Sequence, residues 1–243
     1  MGTDNSHFPE TADIETSSDG YAARFAGATG EWMLSVQERV VLRFLNGTAA
    51  KTVLDVGGGH GQLAGPLCRA GYAVTVLGSS DVCRTRISTL ADAGQCRFLV
   101  GDVLRLPFPD RSFETVLCFR LITHCTKWPS LVAELCRVAD RNVIVDYPTS
   151  RSLNKIAPAL FGAKKQIEGN TRTWRLFIHT EIDGEFARHG YRLDQRRGQF
   201  FFPMVLHRML KCRPVSAAME GASRLAGLNC LFGSPVIARM VRT

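Results

Sequence analysis

A short β-branched run, TVLDV (52–56), runs directly into glycines at 57, 58, 59 and 61. A strand that ends in such a cluster turns sharply, because glycine tolerates backbone conformations and close approaches that a Cβ forbids. The same rhythm then repeats. Apolar runs AVTVL (73–77), CRFLV (96–100), FETVLCF (113–119) and NVIVDY (142–147) alternate with helical stretches at 62–70, 81–93 and 129–138. Continuous apolar strands, spaced widely enough for right-handed crossovers, predict an α/β fold with a doubly wound, mostly parallel sheet covered on both faces.

The flanks are less regular. Residues 1–20 are polar and acidic without periodicity, which predicts a mobile tail. Met33, Val36 or Gln37, Val40 and Phe44 recur at helical spacing over 31–46, with Gly47 as the C-cap. After Pro148 the alternation breaks into an irregular, basic and aromatic stretch (149–179). Thr180 with Asp183 reads as a capping-box variant for a helix that stops at Gly190. YRLDQRRGQFF (191–201) and PVIARMV (235–241) read as further strands.

Composition narrows the class. A 45% hydrophobic and 21% charged chain of 243 residues can bury a sizeable core, which excludes global disorder. The longest uncharged run near the C-terminus, Leu225–Ala238, has 14 residues, short of the roughly 20 that a membrane span needs. No basic-then-apolar leader opens the chain. Eight scattered cysteines contain no C-x-x-C pair, so reduced thiols, a cytoplasmic location and no metal site are expected. Residues 137–243 carry 18 basic against 8 acidic side chains, which suits an anionic partner or simply a solvated basic surface.

In an open α/β sheet, ligands bind beyond the carboxyl ends of the strands, beside the first crossover. VLDVGGGHGQL (53–63) is placed there, and its exposed N–H groups suit a carboxylate or phosphate. Gly59, Gly61 and Ala64 satisfy a dinucleotide G-x-G-x-x-A string, while Asp55, Gly57, Gly59 and Gly61 satisfy a different one, acid–x–G–x–G–x–G. The latter resembles the first motif of class I S-adenosylmethionine (SAM) dependent methyltransferases. GDVLRLPFPDRSFETVLCF (101–119) closely resembles the signature after strand three in their small-molecule branch, the type that includes ubiquinone and menaquinone methyltransferases. His124, Glu134, Arg137 and Val138 fit the same branch's L-x-H…E-x-x-R-V helix, and the resemblance covers about residues 50–147.

The resemblance implies a Rossmann-like, seven-stranded, mostly parallel sheet. A single domain over 21–243 would comprise a helical cap (21–47), a SAM-binding core (50–147), a substrate-side insertion after strand five (148–190) and C-terminal strands and helix (191–243). It implies that Asp55 orients the methionine ammonium and that Gly57, Gly58, Gly59 and Gly61 give the cofactor room. Asp102 and the Val103 N–H would read adenine, with Phe119 and Arg120 under the methionine portion. Gly78 stands where the family usually has an acid for the ribose hydroxyls, so that either Asp81 reaches back, Ser79 substitutes with a neutral hydrogen bond, or nucleoside affinity is weakened. His124 is the candidate base, against a reading as a packed histidine; His179 reads as a cap-region residue.

The implied reaction is methyl transfer to a small, flat or lipophilic acceptor, O- or C-linked and carrying an anionic group. Tyr21, Phe25, Trp32, Phe161, Lys164, Lys165, Trp174 and Arg175 would enclose it, with Phe200–Phe202 as core or pocket lining. No D/N-P-P-Y/F string follows strand four, no nucleic-acid partner is expected, and FFFPMVLHRMLKCR (200–213) suits at most a peripheral lipid contact. An inactive methyltransferase-like binding module or an NAD(P) enzyme is the alternative.

Overall fold

The computed structural model describes residues 8–46, 51–153 and 174–243. Seven strands form one sheet in the order β3-β2-β1-β4-β5-β7-β6. They are β1 (Thr52–Val56), β2 (Ala73–Gly78), β3 (Cys96–Val100), β4 (Phe113–Cys118), β5 (Ala139–Tyr147), β6 (Tyr191–Phe200) and β7 (Ser234–Arg242). β1 pairs in parallel with β2 and β4, while β7 runs antiparallel between β5 and β6. The chain winds outward from β1 in both directions, so the topological switch point lies between β1 and β4.

Ten helices are described: α1 (Ala12–Thr16), α2 (Asp19–Ala23), α3 (Gly27–Leu45), α4 (Ala64–Arg69), α5 (Ser88–Asp92), α6 (Trp128–Val138), α7 (His179–Arg188), α8 (Met204–Leu210), α9 (Arg213–Leu225) and α10 (Leu228–Phe232). None is long and apolar enough to cross a membrane. On one face of the sheet, Leu131, Val132, Leu135 and Val138 of α6 join Ile182 and Phe186 of α7 over Leu54, Val116 and Val143. On the other, Val41, Phe44 and Leu45 of α3 and Leu67 of α4 cover Val53, Leu117 and Ile144. Each fully buried aliphatic side chain contributes roughly 1.5–3 kcal/mol relative to exposure, so both faces must be covered for the sheet to persist. Pro66 is tolerated because it lies in the first turn of α4, where its missing N–H has no intrahelical partner to lose.

Several expectations change. The predicted mobile tail ends early: α1 and the start of α2 lie inside it, and Asp13 is only 1% exposed. The helix expected over 81–93 is a 3-10 segment (Asp81–Ile87) followed by the single turn of α5. The capping box at Thr180 does not form. Ile178 is the N-cap of α7 without a side-chain bond, and Asp183 pairs with Arg196 at 2.5 Å. The C-terminal region holds three helices between β6 and β7 rather than one, and FFFPMVLHRMLKCR is divided between the end of β6 and α8. Gly47, Phe161, Lys164 and Lys165 lie outside the described residues, as do residues 154–173 of the proposed insertion. No cysteine is disulfide-bonded.

Candidate active site

β1 delivers Asp55 to the switch point, and the turn that follows is built around its carboxylate. A Cβ at Gly58 would sit 2.2 Å from Asp55 Oδ2, so only glycine allows the chain to fold back over the acid. Gly57 and Gly61 both take left-handed φ, +73° and +74°, bracketing a 3-10 turn at Gly58–His60. Behind this turn lies a cavity lined by Thr16, Asp55, Gly57, Gly58, His60, Gln62, Leu63, Phe119 and Arg120.

The polar groups around that cavity are unevenly satisfied. Arg120, with φ of +58°, donates its N–H to Asp146 Oδ1 at 2.6 Å and its Nη2 to Gln37 Oε1 at 2.9 Å. A left-handed arginine is costly, and such backbone strain concentrates at binding sites. Its guanidinium lies 4.3 Å from the Phe25 ring centroid and 5.8 Å from that of Tyr21. Gln62 Nε2 donates to the same Gln37 oxygen at 2.9 Å. Left without a partner among the described residues around this cavity are two buried acceptors, Asp55 Oδ1 and Gln62 Oε1, two buried donors, Arg120 Nη1 and Gln37 Nε2, and both ring nitrogens of His60. Buried polar atoms seldom go unpaired, and acceptors beside a cationic donor match the ammonium and carboxylate of an α-amino acid.

Electrostatics reinforce the point. Burial, followed by the nearby Asp146, pushes the Asp55 carboxyl up to about 7. Burial likewise raises Asp146 to about 6, although Arg120 pulls the other way through its N–H and its charge. His60 is held down to about 3 by burial and by the positive fields of Arg120 and Arg86, so it is neutral at pH 7. A cation bound beside Asp55 would favour the ionised form of that acid.

The structure gathers Asp55, Gly57, Gly58, Phe119 and Arg120 around one cavity, with Gly59 and Gly61 in the same turn. Gly78 and Ser79 stand at the end of β2, the next strand across. At Gly78 a Cβ would meet Cys83 Cβ at 2.6 Å, so the fold has no room there for the expected acid. Asp102 follows β3 and bonds its own turn, accepting from the Leu104 N–H at 2.8 Å, and Val103 is fully buried. His124 is half-buried on the 3-10 turn after β4 and is not among the cavity-lining residues. Trp32, expected beside the acceptor, instead packs against Phe200 and His207. His179 is bonded to the Tyr147 hydroxyl at 2.9 Å.

Sequence reasoning missed Thr16, Gln37, His60, Gln62 and Asp146. Gln37 carried one signal, a polar residue on the apolar stripe of its helix. Most of the signature after strand three is structural. Arg137 bonds the Leu106 and Phe108 carbonyls at 2.9 and 2.8 Å and Asp110 at 2.9 Å, and Glu134 accepts the Leu106 N–H at 2.7 Å. Together these bonds pin one loop to α6.

The methyltransferase-domain family matches residues 54–145, the segment that contains this turn and the strands beside it. The chain is 28% identical over 180 residues to malonyl-(acyl-carrier protein) O-methyltransferase of Pectobacterium atrosepticum, covering 72% of this chain and 68% of that one. It is 33% identical over 120 residues to demethylmenaquinone methyltransferase of Deinococcus radiodurans, covering 46% of this chain and 47% of the relative, about half its length. Magnesium protoporphyrin IX methyltransferase of Synechocystis PCC 6803, solved with bound SAH, superimposes with a TM-score of 0.65 at 16% identity over 93% of this chain and 94% of that one. The sheet order, the turn after β1 and these matches define a Rossmann-like class I methyltransferase. The chain is accordingly a SAM-dependent methyltransferase, similar over this core to enzymes of the small-molecule branch, which sets aside the dinucleotide reading of Gly59, Gly61 and Ala64.

Proposed function

We propose that the cavity under the Asp55–Leu63 turn holds the methionine end of SAM, and that the enzyme methylates a small, flat or lipophilic acceptor on oxygen or carbon. The observation that carries the reading is that, among the unpartnered buried atoms here, Asp55 Oδ1 and Gln62 Oε1 are acceptors and Arg120 Nη1 is a cationic donor. The two oxygens would accept from the ammonium and the guanidinium would donate to the carboxylate. Gly57, Gly58, Gly59 and Gly61 keep side chains out of that space, and Phe119 lines it. Gly78 and Ser79 would face the ribose, and Asp102 and the Val103 N–H the adenine. SAM supplies an electrophilic methyl group on a sulfonium. The protein's part is alignment in a space closed to water, worth several orders of magnitude in rate.

The acceptor class is supported by aromatic groups near the carboxyl edge of the sheet. Tyr21 and Phe25 lie beside Arg120, and Trp174 is exposed next to Arg175, whose backbone is bonded to Thr123 on the turn after β4. Two of the relatives are named for a quinone and a porphyrin, both flat ring systems. His124, on that same turn, is the base where an acceptor must lose a proton.

Calorimetric titration tests the cofactor site. Asp55→Ala and Gly59→Val are expected to weaken SAM binding at least tenfold while far-UV circular dichroism stays unchanged; full affinity in both variants refutes the assignment. In a labelled-methyl assay, His124→Asn is expected to lower kcat without changing SAM affinity, and an unaltered kcat makes it a packed histidine.

A further inference from the structure

The N-terminal segment lies across the crevice itself. Asp13 of α1, almost fully buried, accepts from the Ser79 N–H at 2.6 Å on Oδ2 and from the Ser79 hydroxyl at 2.5 Å on Oδ1. Cys83 Sγ donates to the same carboxylate at 3.4 Å. One turn further on, Ser17 Oγ stands 2.1 Å from where a Cβ on Gly59 would be, and Thr16 lines the cavity beside Asp55. At the other end, buried Glu10 accepts from the Thr126 hydroxyl and from the Lys127 N–H, 3.0 Å away. Ala12 joins the core cluster that contains Val103 and Leu121. Ser79, held by these bonds, is inaccessible to solvent, as is Val103.

These are the groups assigned above to the nucleoside, and the inference rests on that reading. A hydrogen-bond donor held by the Asp13 carboxylate is not free for a ribose or a purine, and the space over Gly59 cannot hold both Ser17 and a ligand. We propose that residues Glu10–Ser17 form a displaceable strap, which fills the nucleoside half of the crevice in the free enzyme and is expelled when SAM binds. Its composition suits the role. α1 is five residues long, too short to be stable alone, and is held mainly by polar contacts that water can replace. The exit hinge is Ser18, the N-cap of α2, which accepts the Tyr21 N–H at 3.2 Å. Arg86 latches the hinge, bonding the Ser17 carbonyl at 2.9 Å and Asp19 at 2.5 Å. A strap closed nine-tenths of the time weakens apparent cofactor affinity about tenfold, since only the open fraction binds.

The test uses the full-length chain with S-adenosylhomocysteine, in two measurements. Amide hydrogen exchange over residues 8–17 is expected to speed up when the ligand is added. Calorimetry is expected to show about tenfold tighter binding in Asp13→Ala and in a chain lacking residues 2–17. Slower exchange over 8–17 with weaker binding by Asp13→Ala overturns the proposal, because the segment would then grip the ligand. Unchanged affinity in both variants also overturns it. Asp55→Ala serves as the control: if it too binds normally, the cofactor reading fails first and the strap with it, whereas its failure to bind confines any negative result to the strap.

Discussion

Asp55 shows how one residue can be legible while its chemistry is not. Its position, at the end of a strand and two before a glycine run, is written in the sequence. Its partner Asp146 is not, because the two acids lie 91 residues apart in the chain and meet only through the strand order β1-β4-β5. Their meeting predicts two pH effects of opposite sign. The Asp55 carboxyl has an ordinary value of 3.8 and a folded one of about 7, so between those values the folded state holds the extra proton. This site therefore makes the free protein less stable as pH rises through that window, by at most about 1.4 kcal/mol per unit. SAM affinity should move the other way. An ammonium prefers the ionised acid, so the dissociation constant should fall up to about tenfold per unit from pH 5 to 7 and level off above it. Calorimetry across that range, in buffers of differing ionisation enthalpy, should find close to one proton released per SAM bound at pH 6. Affinity that is flat with pH would remove Asp55 from the ammonium site.

Among the elements, those that bury apolar side chains on a fixed period were readable and those ordered by polar contacts were not. The strands and α6 announce themselves because their cores are continuous in sequence. α1 does not, since Asp13 is ordered by a serine 66 residues away. The C-terminal helices are a second case. Glu220 of α9 is fully buried yet accepts from the Phe201 and Phe202 N–H groups at 2.9 and 3.0 Å, from Asn229 Nδ2 of α10 at 2.8 Å, and bonds His207 Nε2 of α8 at 3.0 Å. Burial alone would raise its carboxyl, but these bonds outweigh it and hold the group below its usual range. One acid thus ties three helices to the end of β6, and Trp32 of α3 packs on the same histidine. Glu220→Ala strands four donors at once and should cost about 3–5 kcal/mol, read by urea unfolding with an unchanged m-value. A loss below about 1 kcal/mol would mean that the helices are held by packing instead.

For the molecule as a whole, the strap and the cofactor compete for one crevice, so folding stability and ligand binding are linked through it. A ligand that binds only the folded state stabilises it by about 2.7 kcal/mol at a concentration one hundred times its dissociation constant. In a chain of this length that corresponds to a rise in melting temperature of roughly 5–10 °C. Where the strap must first be expelled, part of the gain offsets its lost contacts, and the observed rise at a fixed ligand concentration is smaller. The chain lacking residues 2–17 should consequently melt lower than the full chain without ligand, having lost the Asp13 and Glu10 bonds. It should also gain more from a given concentration of S-adenosylhomocysteine, so the two melting curves converge as ligand is added. Differential scanning fluorimetry on both chains over a ligand series separates the cases. Convergence follows from competition, whereas parallel curves mean that the segment contributes to stability without occupying the site, and diverging curves mean that it closes over the ligand.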